Sequence, residues 1–328
     1  EMKLKIFFNY FVGLLFLLLI FLISPFKIVR FHPIAANRLG HFTANIEIFL
    51  CEGKLGINRI SKNDHIIYFY MPNDHGENIC NKQIDKMWRR IIKVSHIFPS
   101  YYCYKIIMKL KKNYNFLDMF IALPVGHSLD PMNLLSKFPP SLNFTIDEEI
   151  EGKKQLEKLG IKEGSKFVCL TCRDSKYLEK QMPSVNWQYH EYRNCDIDGF
   201  RDAADYLASK NIYTVRMGKV VEKEFNLNSD YVIDYANSPF KSDFMDVYLG
   251  AKCDFCITTQ TGFDGIPHIF RKPLATITMP LGDGRVSYSK SLFITKHHIC
   301  SKTKKELTLK EIFERGLGFS HQTSEYEN

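Results

Sequence analysis

Residues 254–273 read DFCITTQTGFDGIPHIFRKP, and four pieces follow one another in them: an apolar run (Phe255 to Ile257), a Thr/Gly turn (Thr258 to Gly262), an amphipathic segment, and Arg271-Lys272-Pro273 ahead of a second apolar run (Leu274 to Thr278). That order predicts strand, tight turn, helix, strand. A Gly flanked by hydroxyl side chains at such a turn lets backbone N–H groups and a helix N-terminus face an anion. In an open α/β sheet the turn falls at the carboxyl ends of the strands, where ligands bind. The plainer alternative is that Gly262 only makes the turn and Thr261 only caps the helix.

Working outward from this stretch, the same alternation continues. Upstream it predicts a helix over 147–159, strand 167–171, helix 199–209, strands 212–217 and 231–234, and helix 242–250. Further back, strands 29–35 and 65–71 alternate with helices over 42–50, about 79–93 and about 100–112. Between the two series, residues 113–147 carry Pro124, Pro131, Pro139 and Pro140 without clear periodicity, as in a substrate loop followed by a linker. A helical pattern over 307–313 lies in a tail that could fold back across the first domain. Alternating strands and helices imply parallel sheets covered by helices. The expected architecture is α/β, with two Rossmann-like domains facing a cleft behind an N-terminal hydrophobic membrane-anchor helix. The expected boundaries are 1–27 for the anchor, 28–145 for the acceptor-side domain with its linker, 146–305 for the nucleotide-sugar domain and 306–328 for the tail.

The charge is unevenly distributed. Residues 1–112 hold 17 Lys/Arg against 7 Asp/Glu, a surplus of +10, whereas the remainder is at −2, within a net +8. Basic runs such as Arg89, Arg90, Lys93 and Lys109, Lys111, Lys112 favour anionic lipid or an anionic acceptor, or are simply solvated helix faces. No recognised nucleic-acid module accompanies them, so nucleic acid is not an expected partner. From Ile6 to Phe26 there is no charge at all, with Lys3 and Lys5 before and Lys27 and Arg30 after. About 20 such residues span a bilayer core. An uncleaved anchor fits better than a cleaved signal peptide, and a helix lying in the inner leaflet is the alternative. Positive charge at both ends leaves the orientation open. Among nine cysteines, Cys169-x-x-Cys172 and Cys253-x-x-Cys256 superficially suggest a thiolate metal site. Each pair lies within an apolar strand-like run, where Cys is usually a small buried hydrophobe, so no metal is expected there. The lack of a regular disulfide pattern puts the body in a reducing compartment, at the cytoplasmic face of the inner membrane.

Several residue sets carry candidate chemistry. Arg173 and Asp174 directly follow the strand 167–171, where a guanidinium fork suits phosphate oxygens. The cluster His190, Tyr192, Arg193 and Asn194 combines aromatics for stacking with donors for phosphate or hydroxyls. Arg216 and Gly218 end another strand, and Thr259, Thr261 and Gly262 form the turn described first. In the N-terminal half, Arg38 and Gly40 occupy the first strand-to-helix turn and are assigned to acceptor binding. His41 is the candidate general base, its ordinary pKa lying near neutrality, with Glu47 the weaker catalytic candidate. Asp196-x-Asp198 matches an acidic metal-holding pair, but the apolar strand that would position it is missing, and Asp196 reads better as a helix cap.

The strings RLGHFTANIEIFL (38–50), CRDSKYL (172–178), YHEYRNCDI (189–197), VRMG (215–218) and SDFMDVYLGAKCDF (242–255), together with the Thr/Gly turn, resemble a family of bacterial surface-polysaccharide glycosyltransferases of GT-B-like build. The resemblance covers most of 28–280. It implies a C-terminal domain that holds a nucleotide-sugar donor and an N-terminal domain that holds a lipid-linked or polysaccharide acceptor. The nucleotide-sugar is then a co-substrate and no further cofactor is needed. It also implies metal-independent transfer, with basic side chains and helix N-termini offsetting the leaving diphosphate's charge. Two other classes fit the same features: a non-catalytic saccharide-binding scaffold, and a nucleotide-sugar epimerase.

Overall fold

The computed structural model describes residues 2–327 apart from 59, 73–78, 126–129, 182, 282–287 and 321. The chain divides into two compact units, Glu1–Ser128 and Leu129–Asn328.

The first unit opens with α1 (Met2–Ile23), a helix long and apolar enough to cross a bilayer. Then come β1 (Val29–Ile34), α2 (Leu39–Leu55), β2 (His65–Tyr70), α3 (Lys82–Trp88) and α4 (Ile97–Leu110). β1 and β2 pair in parallel from Val29–His65 to Ile34–Tyr70, and single parallel bridges, Phe31–Ile121 and Tyr68–Val94, extend the pairing on either side. α2 buries Phe42, Ile46, Ile48 and Phe49 and stops at Gly56, whose φ of 68° supplies the left-handed cap that a side chain resists. α1 is not a detached anchor. Leu17 and Ile20 are buried against Phe31, Phe69, Cys103, Ile107 and Phe120. A Cβ on Gly13 would come within 2.8 Å of Tyr102 Cβ and 3.1 Å of the Cys103 nitrogen, so α1 and α4 approach almost backbone to backbone.

In the second unit, α5 (Ile146–Lys158) starts with a reciprocal capping box between Thr145 and Glu148. It is followed by β3 (Phe167–Thr171), α6 (Lys176–Gln181), α7 (Arg201–Ser209), β4 (Tyr213–Met217), β5 (Val232–Ile233), α8 (Asp243–Lys252), β6 (Phe255–Thr258), α9 (Gly265–Ile269), β7 (Leu274–Met279), β8 (Ser291–Thr295) and α10 (Leu309–Glu314). All six strands are parallel, in the order β5-β4-β3-β6-β7-β8. The chain winds outward to one side from β3 and then returns to start again beside it with β6. This is the doubly wound arrangement, and its switch point lies between β3 and β6. β3 and β4 are buried along their whole length, as strands covered on both faces must be. Val168, Leu170, Phe200, Ala204 and Ile257 form the core over β3 and β6. Cys169 and Cys256 are register partners on these strands, and burial holds both thiols well above their usual pKa.

Two features depart from the sequence reading. β8 and α6 are additional elements. The tail after α10 packs within the second unit: the turn Thr323–Tyr326 lies against the turn Gln188–Arg193, with Tyr326 stacked on Tyr192 at 5.2 Å.

Candidate functional site

The switch point brings three loops together. After β3 the chain runs through Cys172 and Arg173; after β6 it runs through Thr259, Gln260 and Thr261; the segment Arg193–Cys195 lies across both. Thr259 donates its N–H to the Thr171 carbonyl at 3.2 Å. Thr259 Oγ1 in turn accepts the Arg173 N–H at 2.8 Å. The hydroxyls of Thr171 and Thr261 meet at 3.0 Å. Cys195 donates its N–H to the Arg173 carbonyl at 2.9 Å, and Cys172 Sγ reaches the Cys195 carbonyl at 3.3 Å. One guanidinium nitrogen of Arg193 donates to the Gln260 carbonyl at 3.1 Å. Arg173, Arg193, Thr259 and Thr261 are therefore neighbours, although up to 88 residues separate Arg173 from Thr261 along the chain.

Several of the turn's own N–H groups are already engaged. Thr258 Oγ1 accepts the N–H groups of Gln260 (3.0 Å) and Thr261 (3.5 Å) and donates to Asp264 at 3.2 Å. Thr261 Oγ1 accepts from the Phe263 N–H at 3.2 Å. Desolvation pushes the Asp264 carboxyl up to about 7; the Thr258 hydroxyl, the Arg193 charge and the N–H groups of Thr261 and Gly265 pull the other way. Asp264 thus sits where an external anion was expected to meet the turn. The helix also differs: α9 has five residues and starts at Gly265, so Gly262 lies three residues ahead of it, exposed. With Pro267 inside it and no side-chain cap, α9 is too short for an appreciable macrodipole.

The remaining second-unit candidates divide. His190 packs on Tyr189 at 4.0 Å and stacks on Trp187 at 6.5 Å, while Tyr192 stacks on Tyr326, so these rings form one aromatic cluster. Asn194 belongs to the loop through its backbone: its carbonyl, like that of Tyr192, accepts from Lys296 Nζ at 2.8 Å. Asp174 accepts the N–H groups of Lys176 (3.0 Å) and Glu222 (3.1 Å) and so closes the next turn. Arg216 is corrected. Its side chain is 1% exposed, pairs with Asp234 at 3.1 Å and donates to the Lys223 carbonyl, holding β4 to the loop after it. At Gly218 a Cβ would lie 2.4 Å from Val221 Cγ1, so packing within the domain accounts for the glycine as readily as a nucleotide does. Asp196 and Asp198 face cations within the chain, Lys223 at 2.8 Å and Arg201 at 2.7 Å respectively.

In the first unit, Arg38 is exposed at the N-cap of α2 and makes no side-chain capping bond. Gly40 and the half-buried His41 occupy that helix's first turn, at the carboxyl end of β1. Glu47 is 0% exposed on α2's core face, a structural position rather than one at the surface beside His41.

Sequence reasoning missed Asp264, Lys296 and the tail. Asp264 was readable as an acid two residues past the glycine of a turn, but its inward course depends on Thr258. Lys296 follows β8, an element with no periodic signal of its own.

No family model matches the chain, and no curated protein matches it. Among solved structures it is similar to a family 9 glycosyl transferase from Veillonella parvula, at 8% identity over 82% of this chain and 86% of that one, with a TM-score of 0.48. It is also similar to the E. coli ADP-heptose lps heptosyltransferase II, at 11% identity over 81% and 90%, with a TM-score of 0.44. A UDP-N-acetylglucosamine 2-epimerase aligns at 11% identity over 76% and 78%, with a TM-score of 0.32. At these identities no residue role carries across.

Proposed function

We propose that the chain is a glycosyltransferase that moves a sugar from a nucleotide-sugar to a lipid-linked or surface-polysaccharide acceptor at the cytoplasmic face of a membrane. The observation that carries this reading is the meeting of Arg173, Arg193 and the Thr259–Thr261 turn at the switch point of a doubly wound sheet, the position at which such sheets bind nucleotides. In this reading the acceptor hydroxyl attacks the anomeric carbon, its proton passes to His41, and the bond to the nucleoside diphosphate breaks. The guanidinium groups of Arg173 and Arg193 offset the charge that develops on the leaving oxygens, and the aromatic cluster around His190 and Tyr192 takes a base or sugar face. With the N–H groups of Gln260 and Thr261 bonded to Thr258 and the following helix only five residues long, side-chain cations rather than a helix N-terminus carry the electrostatics. The resemblance in YHEYRNCDI, which includes Arg193, supports the same assignment.

The test has two stages. Thermal shift against UDP-, GDP-, CMP-, dTDP- and ADP-sugars identifies the nucleotide; stabilisation by none of them would favour the saccharide-binding scaffold. With the stabilising donor, Arg193→Ala should then lower kcat by about 10²–10³, roughly 3 kcal/mol of transition-state stabilisation. Unchanged turnover overturns the assignment.

A further inference from the structure

The first unit carries a large apolar surface on α1. Its inward face, Gly13, Leu17 and Ile20, is buried, whereas Phe7, Phe8, Phe11, Leu15, Leu19 and Leu22 are each at least half exposed. These residues recur every three to four positions, so they form one stripe along the helix. Contact with the body runs nearly the whole length of α1. Asn9 donates to the Tyr102 hydroxyl at 3.0 Å, Tyr10 meets Tyr102 at 5.2 Å, Phe16 meets Phe31 at 6.3 Å, and Phe21 meets Phe116 at 6.2 Å. Contacts from Asn9 to Phe21 thus tie most of the described length of α1 to the body.

A crossing helix would draw its neighbours into the hydrocarbon with it. α4 lies alongside and carries Lys105 and Lys109 outward; Lys105 Nζ is 6.0 Å from the Tyr10 ring. Lys111 and Asp118 form an ion pair at 2.9 Å next to the α1 contact at Phe116. Charges of this kind belong at headgroup depth rather than in the bilayer core. Lys3 and Lys5, exposed on α1 itself, and Lys27 just past it add to the same basic rim, in the part of the chain that holds the +10 surplus.

We infer that α1 does not cross the membrane but lies in the plane of an anionic leaflet, with its Phe7–Leu22 stripe sunk below the headgroups and the flanking lysines against lipid phosphates. α1 itself is apolar around most of its circumference, so the interfacial character belongs to the unit as a whole: a submerged apolar face on α1 and a cationic margin from its flanks and α4. This rests on the reading that the chain is membrane-associated, and it is independent of the transferase chemistry.

Flotation of the full chain with phosphatidylcholine vesicles containing about 30% phosphatidylglycerol, and with pure phosphatidylcholine, tests the partner. Binding to the former, weakened by salt and lost in Leu15→Glu/Leu19→Glu, is expected; equal binding to both vesicles removes the anionic preference. Both positions are exposed, so the folded body should retain its Tm. Single tryptophans at Phe8, Leu15 and Leu22, read by brominated-lipid quenching above the signal of Trp88 and Trp187, then give the geometry. Equal shallow depths, about 5–10 Å below the headgroups, are expected for all three. A profile with Leu15 at the bilayer centre and the other two near opposite surfaces overturns the in-plane helix while sparing membrane association. Absence of flotation with either vesicle overturns membrane association itself, whatever the enzyme assay shows.

Discussion

The turn after β1 and the turn after β6 occupy equivalent posts, each at the carboxyl end of a parallel strand and each entering a helix, but they are built oppositely. The first leads from an exposed Arg38 into a 17-residue helix whose N-terminus has no side-chain cap. The second leads into a five-residue helix, and its Thr258 hydroxyl, Asp264 carboxyl and backbone N–H groups satisfy one another. A long helix whose N-cap side chain makes no capping bond keeps partial positive charge at its N-terminus. A short one whose donors are internally bonded presents almost none, and any cationic character must come from side chains placed beside it. In the second unit Arg193 is placed so, its guanidinium on the Gln260 carbonyl. Glycine and hydroxyls at a strand end are therefore a weaker sign of an anion site than the length and capping of the helix that follows.

The comparison can be broken most sharply at Thr258. Thr258→Val keeps the shape and removes the oxygen that serves Asp264 and two N–H groups. Leaving buried partners unsatisfied costs about 1–3 kcal/mol each. A fall of about 3 kcal/mol in unfolding free energy by urea titration is expected, and a change below about 0.5 kcal/mol would mean that the second turn is as loosely tied as the first.

Titration sharpens it next. With the folded-state pKa of Asp264 pushed up to about 7 against an ordinary 3.8, the native state holds a proton that the unfolded chain has released. Its stabilising contribution is complete below the unfolded pKa and lost as pH rises toward 7, with a slope of at most about 1.4 kcal/mol per pH unit for one proton. Asp246, pushed up to about 6 by burial, acts with the same sign at lower pH. Melting curves from pH 5 to about 7.5 should therefore show wild-type stability falling with pH, and Asp264→Asn should flatten the upper part of that range. A parallel fall in the variant would remove Asp264 from the account.

The smallest effect belongs to the open turn. Arg38→Ser supplies the missing cap acceptor at the start of α2, and a gain of about 1 kcal/mol is expected. No gain in Tm would mean that the end of α2 is already satisfied by other means.

Most of the strands were legible because parallel strands covered on both faces must be continuous apolar runs: β3 was read to the residue, and β4, β6 and β7 to within one. The exposed edge strand β8, with Leu292 and Ile294 facing outward, lacks that constraint and was missed. The reading of α9 as a full amphipathic helix failed because apolar spacing reports a buried face, not length, and Pro267 limits it. Hydropathy identified α1 but not its berth; the only local hint was Gly13, which has meaning only once Tyr102 is known to lie against it. In the candidate site, residue types were legible and commitments were not. Arg193 and Arg216 look alike in sequence, yet one lies beside the switch-point turn while the other is sealed against Asp234.

The docking of Tyr326 on Tyr192, with the Thr323 hydroxyl donating to the Gln188 carbonyl at 2.7 Å, has a practical corollary. The segment Thr323–Tyr326 is scaffolding for the loop that carries Arg193, at least 130 positions upstream. Changes at Thr323 or Tyr326, neither of them a site candidate, would therefore be felt at that loop.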